Sequence, residues 1–264
     1  MCRGAWPLCR EPEGVPQKYK KFHSFFLGEG STLLNHEANV DLSLILLTLK
    51  IATVATAINL PLALAVSWLV TKKRVRGATI IDALVSLPLA VPPVVVGFFL
   101  LLALGRDGPI GKITESLFGT QIVFTWFAAV LASAVVSFPL IARSMMTAMS
   151  EVDERLEMSA RSLGAGPWRT IFTITIPLAY RGILAGVLLG FVRALSEFGA
   201  TITVAGNIPG RTQTLALAIY SNVQIRDDAT AIKLVAVSIG LALATLLVHN
   251  WLLSRTNRKG RYRR

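Results

Sequence analysis

Two charged residues, Arg193 and Glu197, stand four apart inside an otherwise apolar stretch, a spacing that places both on one face of a helix. In hydrocarbon each costs about 2.5–3.5 kcal/mol on insertion scales, so they must pair with each other or face the protein interior. Paired, they stabilise a helix without any ligand; facing a cavity, Arg193 contributes positive potential to the path of an anion. A second unusual group is Pro88, Pro92 and Pro93. These remove backbone donors inside an apolar run and free the carbonyls they would have met, a defect that membranes tolerate where neighbouring helices or a polar cavity compensate. The hydroxyls of Ser86, Ser133, Ser137, Thr201 and Thr203 can donate to an oxyanion or to their own helix backbone. Covalent and hydrolytic chemistry has little to work with: there is no G-x-x-x-x-G-K-[ST], no H-E-x-x-H, no G-x-S-x-G and no cluster of His with carboxylates. No catalytic or metal-ligating residue is therefore assigned. Cys2 and Cys9 likewise lack partners at metal-ligand spacing.

The elements that position these residues belong in a bilayer. Of 264 residues, 53% are hydrophobic and only 16% charged, and the mean hydropathy is +0.58, above the range of ordinary soluble domains. The apolar residues are gathered in blocks. A helix crossing about 30 Å of hydrocarbon needs about 20 of them, and five blocks qualify: 51–70, with a lead-in from Leu42 interrupted by Lys50, then 83–104, 122–142, 183–204 and 234–253. The segment 22–34 is too short and is broken by Gly28, Glu29 and Gly30. Residues 1–41 form a leader without the apolar stretch or cleavage site of a secretory signal, expected to be partly disordered and extracytoplasmic. The net charge of +12 does not point to nucleic acid, because the basic residues lie between and after the apolar blocks and form no aromatic-interleaved face.

Positive loops are retained on the cytoplasmic side of a membrane. Lys72, Lys73, Arg74 and Arg76 follow the first block; Arg143, Arg155, Arg161, Arg169 and Arg181 fall between the third and fourth; Arg255, Arg258, Lys259, Arg261, Arg263 and Arg264 end the chain. The opposite loops hold fewer, Arg106 and Lys112, then Arg211, Arg226 and Lys233. The segment 143–181 and the basic tail 255–264 are thus expected in the cytoplasm. Five spans then leave the N-terminus outside, against the local pull of Arg3, Arg10, Lys18, Lys20 and Lys21.

Segment 143–181 has an internal pattern. Residues 153–163 suit a helix, Gly164-Ala165-Gly166-Pro167 is a break, and 168–176 resumes a helix before Pro177. On pattern alone this is either a pair of short helices projecting from the membrane or a polar connector lying on the headgroups. Its residues add to the pattern: Ser159-Ala160, then Gly164, then nine residues, then Ile174-Thr175-Ile176-Pro177 resembles the cytoplasmic coupling loop of ABC importer permeases. One departure is that the acidic residue expected before the small pair is Met158, with Glu157 one position earlier. Arg193-Ala194-Leu195-Ser196-Glu197-Phe198-Gly199-Ala200-Thr201, with Gly206-Asn207-Ile208-Pro209-Gly210 and Thr212-Gln213-Thr214-Leu215, is similar to the fourth-span region of molybdate permeases. The same holds for Leu87-Pro88 with Val91-Pro92-Pro93-Val94-Val95-Val96-Gly97, and for Phe138-Pro139-Leu140 with Arg143. Sulfate and tungstate permeases share much of this.

The resemblance implies an all-α polytopic bundle, with the permease domain over 42–254 and the coupling loop over 143–181. It implies a homodimer in the cytoplasmic membrane that moves molybdate, a related tungstate or sulfate permease being the alternative. Its partners would be an ABC ATPase subunit, which uses ATP while this chain binds no cofactor, and an extracytoplasmic substrate-binding protein. Coupling would fall to Glu157, Ser159, Ala160, Gly164, Ala165, Ile174 and Pro177, with Gly164 as pivot because it lacks a side chain. The substrate path would include Pro92, Pro93, Arg193, Glu197, Gly199 and Thr201. Gly182, Gly186 and Gly190 form a small-residue strip that serves either a dimer seam or packing within the chain. The loop 206–211 has the composition of a defined turn, which is either that alone or a contact for the binding protein. The rival class, an ATP-independent secondary transporter, would usually carry an inverted repeat, and no matching halves are found in the five blocks.

Overall fold

The computed structural model describes residues 42–71 and 77–261; the expectations for 1–41, for Lys72, Lys73, Arg74 and Arg76, and for residues 262–264 lie outside them. All regular structure among the described residues is helical: α1 (Leu42–Thr71), α2 (Ala78–Ala90), α3 (Pro93–Leu104), α4 (Pro109–Phe118), α5 (Trp126–Ser150), α6 (Glu154–Ser162), α7 (Pro167–Thr170), a π-helical turn (Ile171–Thr175), α8 (Ile176–Leu195), α9 (Gly199–Val204), α10 (Leu215–Gln224) and α11 (Asp228–Arg261). Four stretches among them are long and apolar enough to cross a membrane: α1, α5, Pro167–Leu195 and Asp228–Val248 of α11. The fifth is α2 with α3, bent by 108°.

The bend follows from the sequence. Val91 precedes Pro92 and Pro92 precedes Pro93, and steric clash with a proline ring drives the preceding residue to extended backbone. Val91 and Pro92 take ψ of 139° and 136°, so the chain turns there and restarts with Pro93 in the first turn of α3, where no N–H is needed. The expected block 83–104 is therefore a broken helix, two arms of 13 and 12 residues that begin at Ala78.

Contacts between helices decide whether the bent pair crosses the bilayer. Lys50 lies over the Trp126 ring at 4.1 Å, Asn59 Nδ2 donates to Ala134 O at 2.8 Å, and Ser67 Oγ donates to Ala142 O at 3.0 Å. Both partners advance together, so α1 and α5 run parallel, and the chain between them must return across the full thickness. Accordingly, Asp82 of α2 pairs with Arg143, toward the end of α5, whereas Gly97 of α3 abuts Ala200 of α9. The bent pair is a broken crossing and not a re-entrant loop.

The central core lies where α1, α3, α5 and α9 meet, around Ile51, Ala55, Val130, Val136 and Val204. Alanines dominate it, which lets the helices approach closely while β-branched residues fill the gaps. Further boundaries differ from expectation: the fourth crossing ends at Leu195 rather than 204, and the helix of the fifth starts at Asp228 rather than 234. The third crossing starts at Trp126 rather than 122 and runs on to Ser150. The helix expected to stop before Pro177 continues through it: Ile176 N–H donates to Ile171 O, a five-residue step, and this wider turn absorbs the bond that Pro177 cannot make.

Candidate functional site

α6 joins α5 to the Pro167–Leu195 crossing. Its start is capped by Asp153, whose Oδ1 accepts the Arg155 N–H at 2.9 Å. Its end is a Schellman turn: Ala165 N–H donates to Ala160 O and Gly164 N–H to Arg161 O, both at 3.0 Å, with Gly164 at φ +85°. No described atom of the chain lies within 4 Å of where a Gly164 Cβ would stand. The left-handed backbone there favours glycine, and the space beside it is open to a partner.

The residues expected to couple divide between the two sides of this element. Ser159 is exposed and bonds its own helix, Oγ donating to Arg155 O at 2.8 Å; Leu156, Met158 and Leu163 are also exposed. Ala160, Ala165 and Ile174 are half-buried, and Pro177 is exposed in the first turn of α8. Glu157 departs from the expectation of a contact surface: it is buried, and its Oε1 accepts the Thr175 hydroxyl at 2.7 Å. Helical periodicity turns Glu157 inward, where it fastens α6 to the π turn. On the other side of that turn, Trp168 stacks on Trp68 of α1 with centroids 5.6 Å apart. α6 is thus joined to α5 through the chain and to the π turn through Glu157 and Thr175, and α7 is joined to α1 through the tryptophans.

The residues expected on the substrate path form two groups. Pro93 and Val94 press on Gly199, whose Cβ would fall 3.2 Å and 3.1 Å from their side chains. Arg193 and Glu197 form an ion pair at 2.8 Å, but Glu197 is not on the same helix, as the spacing suggests; α8 ends at Leu195. Glu197 Oε1 accepts the Ala200 N–H at 2.8 Å and thereby starts α9. Oε2 approaches the guanidinium too far off-line for an aligned hydrogen bond, so charge attraction holds it. With the Glu197 side chain 1% exposed and that of Arg193 26% exposed, the pair locks the break between α8 and α9, and Arg193 is largely committed. Thr201 is fully buried, and its hydroxyl has no hydrogen-bond partner among the described residues. Pro92 is exposed at the elbow.

The glycine strip packs inside the chain. A Cβ at Gly182 would meet Ala148 at 2.3 Å, at Gly186 Ser144 at 2.8 Å, and at Gly190 Ile141 at 2.1 Å, all on α5. Of the two expectations for this strip, intramolecular packing is the one its contacts satisfy. The loop 206–211 is a defined turn: Gly206 and Gly210 have φ of +70° and +73°, and Thr212 Oγ1 accepts the Ile208 N–H at 3.0 Å.

One residue mattered to the sequence reading only as an orientation marker and a part of the resemblance. Arg143 faces a groove bordered by the ends of α1 and α5 and the start of α2. Its Nε donates to Ser86 Oγ at 2.8 Å, and its Nη2 lies 3.5 Å from Asp82 Oδ2. The signal was present in the sequence: Asp82 and Ser86 stand four apart near the start of one helix, opposite an arginine in another.

An all-helical bundle with a broken crossing, and with a capped helix held between two crossings, is the membrane domain of a transporter. The chain belongs to the family described as binding-protein-dependent transport system inner membrane component, which matches residues 59–258. It is similar to the molybdenum transport system permease protein ModB of Haemophilus influenzae, 46% identical over 83% of this chain and 96% of that one. The ModB of Escherichia coli K12 is 45% identical over 79% and 91%. A sulfate transport system permease protein, CysW of Synechococcus elongatus, is 34% identical over 81% and 75%. Among solved structures, the inward-facing MetNI methionine ABC transporter matches with a TM-score of 0.64 at 16% identity over 80% of this chain and 94% of that one. A bacterial ABC transporter that imports alginate matches at 0.66 and 18% over 90% and 89%. At those identities the likeness is one of fold, and the fold is that of an ABC transporter permease.

Proposed function

We propose that this chain is the membrane-spanning subunit of an ATP-driven importer of a tetrahedral oxyanion, and that the oxyanion is molybdate. The observation that carries this reading is the near full-length similarity to ModB at 46% identity, against 34% for the sulfate permease. The geometry supports the mechanism. α6, with its open glycine turn, is the surface on which a separate ATPase acts, and its motion passes through Glu157, Thr175 and the Trp68–Trp168 stack to the crossings around the α2–α3 elbow. Two copies of the chain form the path between them, with α6 and the basic segments on the cytoplasmic side. At the opposite end, the turn 206–211 offers a shaped surface to a substrate-binding protein; the alginate transporter has been solved in complex with a periplasmic one.

Sulfate is the second reading, favoured by the related sulfate permeases. Proteoliposomes containing the chain, its ATPase and its binding protein separate the two. Uptake of radiolabelled molybdate should require ATP and resist excess sulfate. Efficient competition by sulfate would assign the sulfate reading, and uptake without ATP or partners would contradict both.

A further inference from the structure

The groove at Arg143 has a volume of about 490 Å³ and is lined by Thr71, Thr79, Asp82, Arg143, Thr147 and Ser150 among other residues. Its polar groups differ in what they have left to give. Thr71 and Ser150 donate their hydroxyls to Ser67 O and Thr147 O, and Ser86 donates to Asp82 O at 2.7 Å. The hydroxyls of Thr79 and Thr147 donate to no group among the described residues. Arg143 is held at Nε by Ser86 and beside Nη2 by Asp82, yet its side chain is 54% exposed, which leaves its remaining N–H groups facing the groove. Arg193, by contrast, is three-quarters buried against Glu197.

We infer that this groove is a release site for the transported oxyanion. The inference rests on the transport reading and on α6 marking the cytoplasmic end. Arg143 attracts the anion with a planar fork of donors, and Thr79 and Thr147 complete its contacts. Asp82 is the element that makes the site one of release: its carboxylate competes for the same guanidinium and repels a dianion. A groove many times larger than the anion leaves the anion hydrated. A permease needs such a site to bind weakly, because an anion held tightly at the exit would stop turnover.

The test uses the chain with its ATPase in lipid nanodiscs, titrated with radiolabelled molybdate in the absence of binding protein. Removing the Asp82 charge beside a dianion should raise affinity about tenfold, so Asp82→Asn should bind tighter than wild type. In Asp82→Asn/Arg143→Gln that gain should vanish, whereas Asp82→Asn/Arg143→Lys, which keeps the charge, should retain part of it. No gain in Asp82→Asn, or a gain that survives Arg143→Gln, overturns the inference. If Asp82→Asn does not assemble, product inhibition decides: molybdate on the ATPase side should slow wild-type uptake at about tenfold lower concentration than it slows Arg143→Gln, and equal sensitivity overturns the inference. Loss of ATP-driven molybdate uptake in the wild-type complex would refute the transport reading instead.

Discussion

At the scale of single residues, Gly164 and Glu157 carry the most specific expectations. Gly164 is at φ +85° with open space around it, so a substitution there meets a backbone limit and then whatever partner covers the turn. Asn tolerates left-handed backbone better than other side chains. Gly164→Asn should leave thermal stability nearly unchanged while lowering uptake more than tenfold, and Gly164→Asp should abolish uptake in a protein that still inserts; normal uptake by either variant would remove the coupling role. Thr175→Val deletes a buried hydrogen bond to Glu157 and should cost about 1–3 kcal/mol, read as a lower unfolding temperature, with more ATP hydrolysed per anion moved. Glu197 combines a cap with a buried charge pair. Glu197→Ala should destabilise by about 3–5 kcal/mol, because it strands Arg193, and adding Arg193→Met should recover part of that loss.

Among elements, the close contact between α5 and α8 is readily tested. Gly190→Leu drives a side chain into Ile141, and overpacking of this kind costs about 1–3 kcal/mol or more. Ile141→Ala vacates the same space, so the double variant should be more stable in detergent than Gly190→Leu alone, a coupling that independent sites would not show. The elements also mark where sequence reasoning reached its limit. Long apolar blocks and a glycine-proline break disclosed the crossings and the helical element at 154–162, since both signals are local. Pro92 and Pro93 disclosed a defect but not its 108° angle. Pro177 looked like a stop because the π turn that accommodates it leaves no mark in residue type. Glu197 looked helical by spacing, but α8 ends at Leu195 and Glu197 bonds the start of the next helix instead. Arg143 looked like an orientation marker because its partners, Asp82 and Ser86, are far away in sequence.

For the whole molecule, the parallel run of α1 and α5 makes the bent pair a crossing and so brings the candidate crossings among the described residues to five, an odd number. Sidedness then decides which end meets the ATPase. Single cysteines in a chain whose Cys2 and Cys9 are replaced by Ser should be labelled by an impermeant maleimide from outside at Arg211 and only from inside at Ser159. The reverse pattern would invert the molecule and remove the proposed roles from both ends. The central claim, that a separate motor protein drives this chain through α6, is tested most directly by cross-linking Ser159→Cys to the ATPase subunit in the assembled importer. An efficient cross-link that stops uptake, and whose reduction restores it, is the expected result. A thiol in the Ser159→Cys variant that stays freely labelled while ATP turnover carries molybdate across the membrane would contradict it.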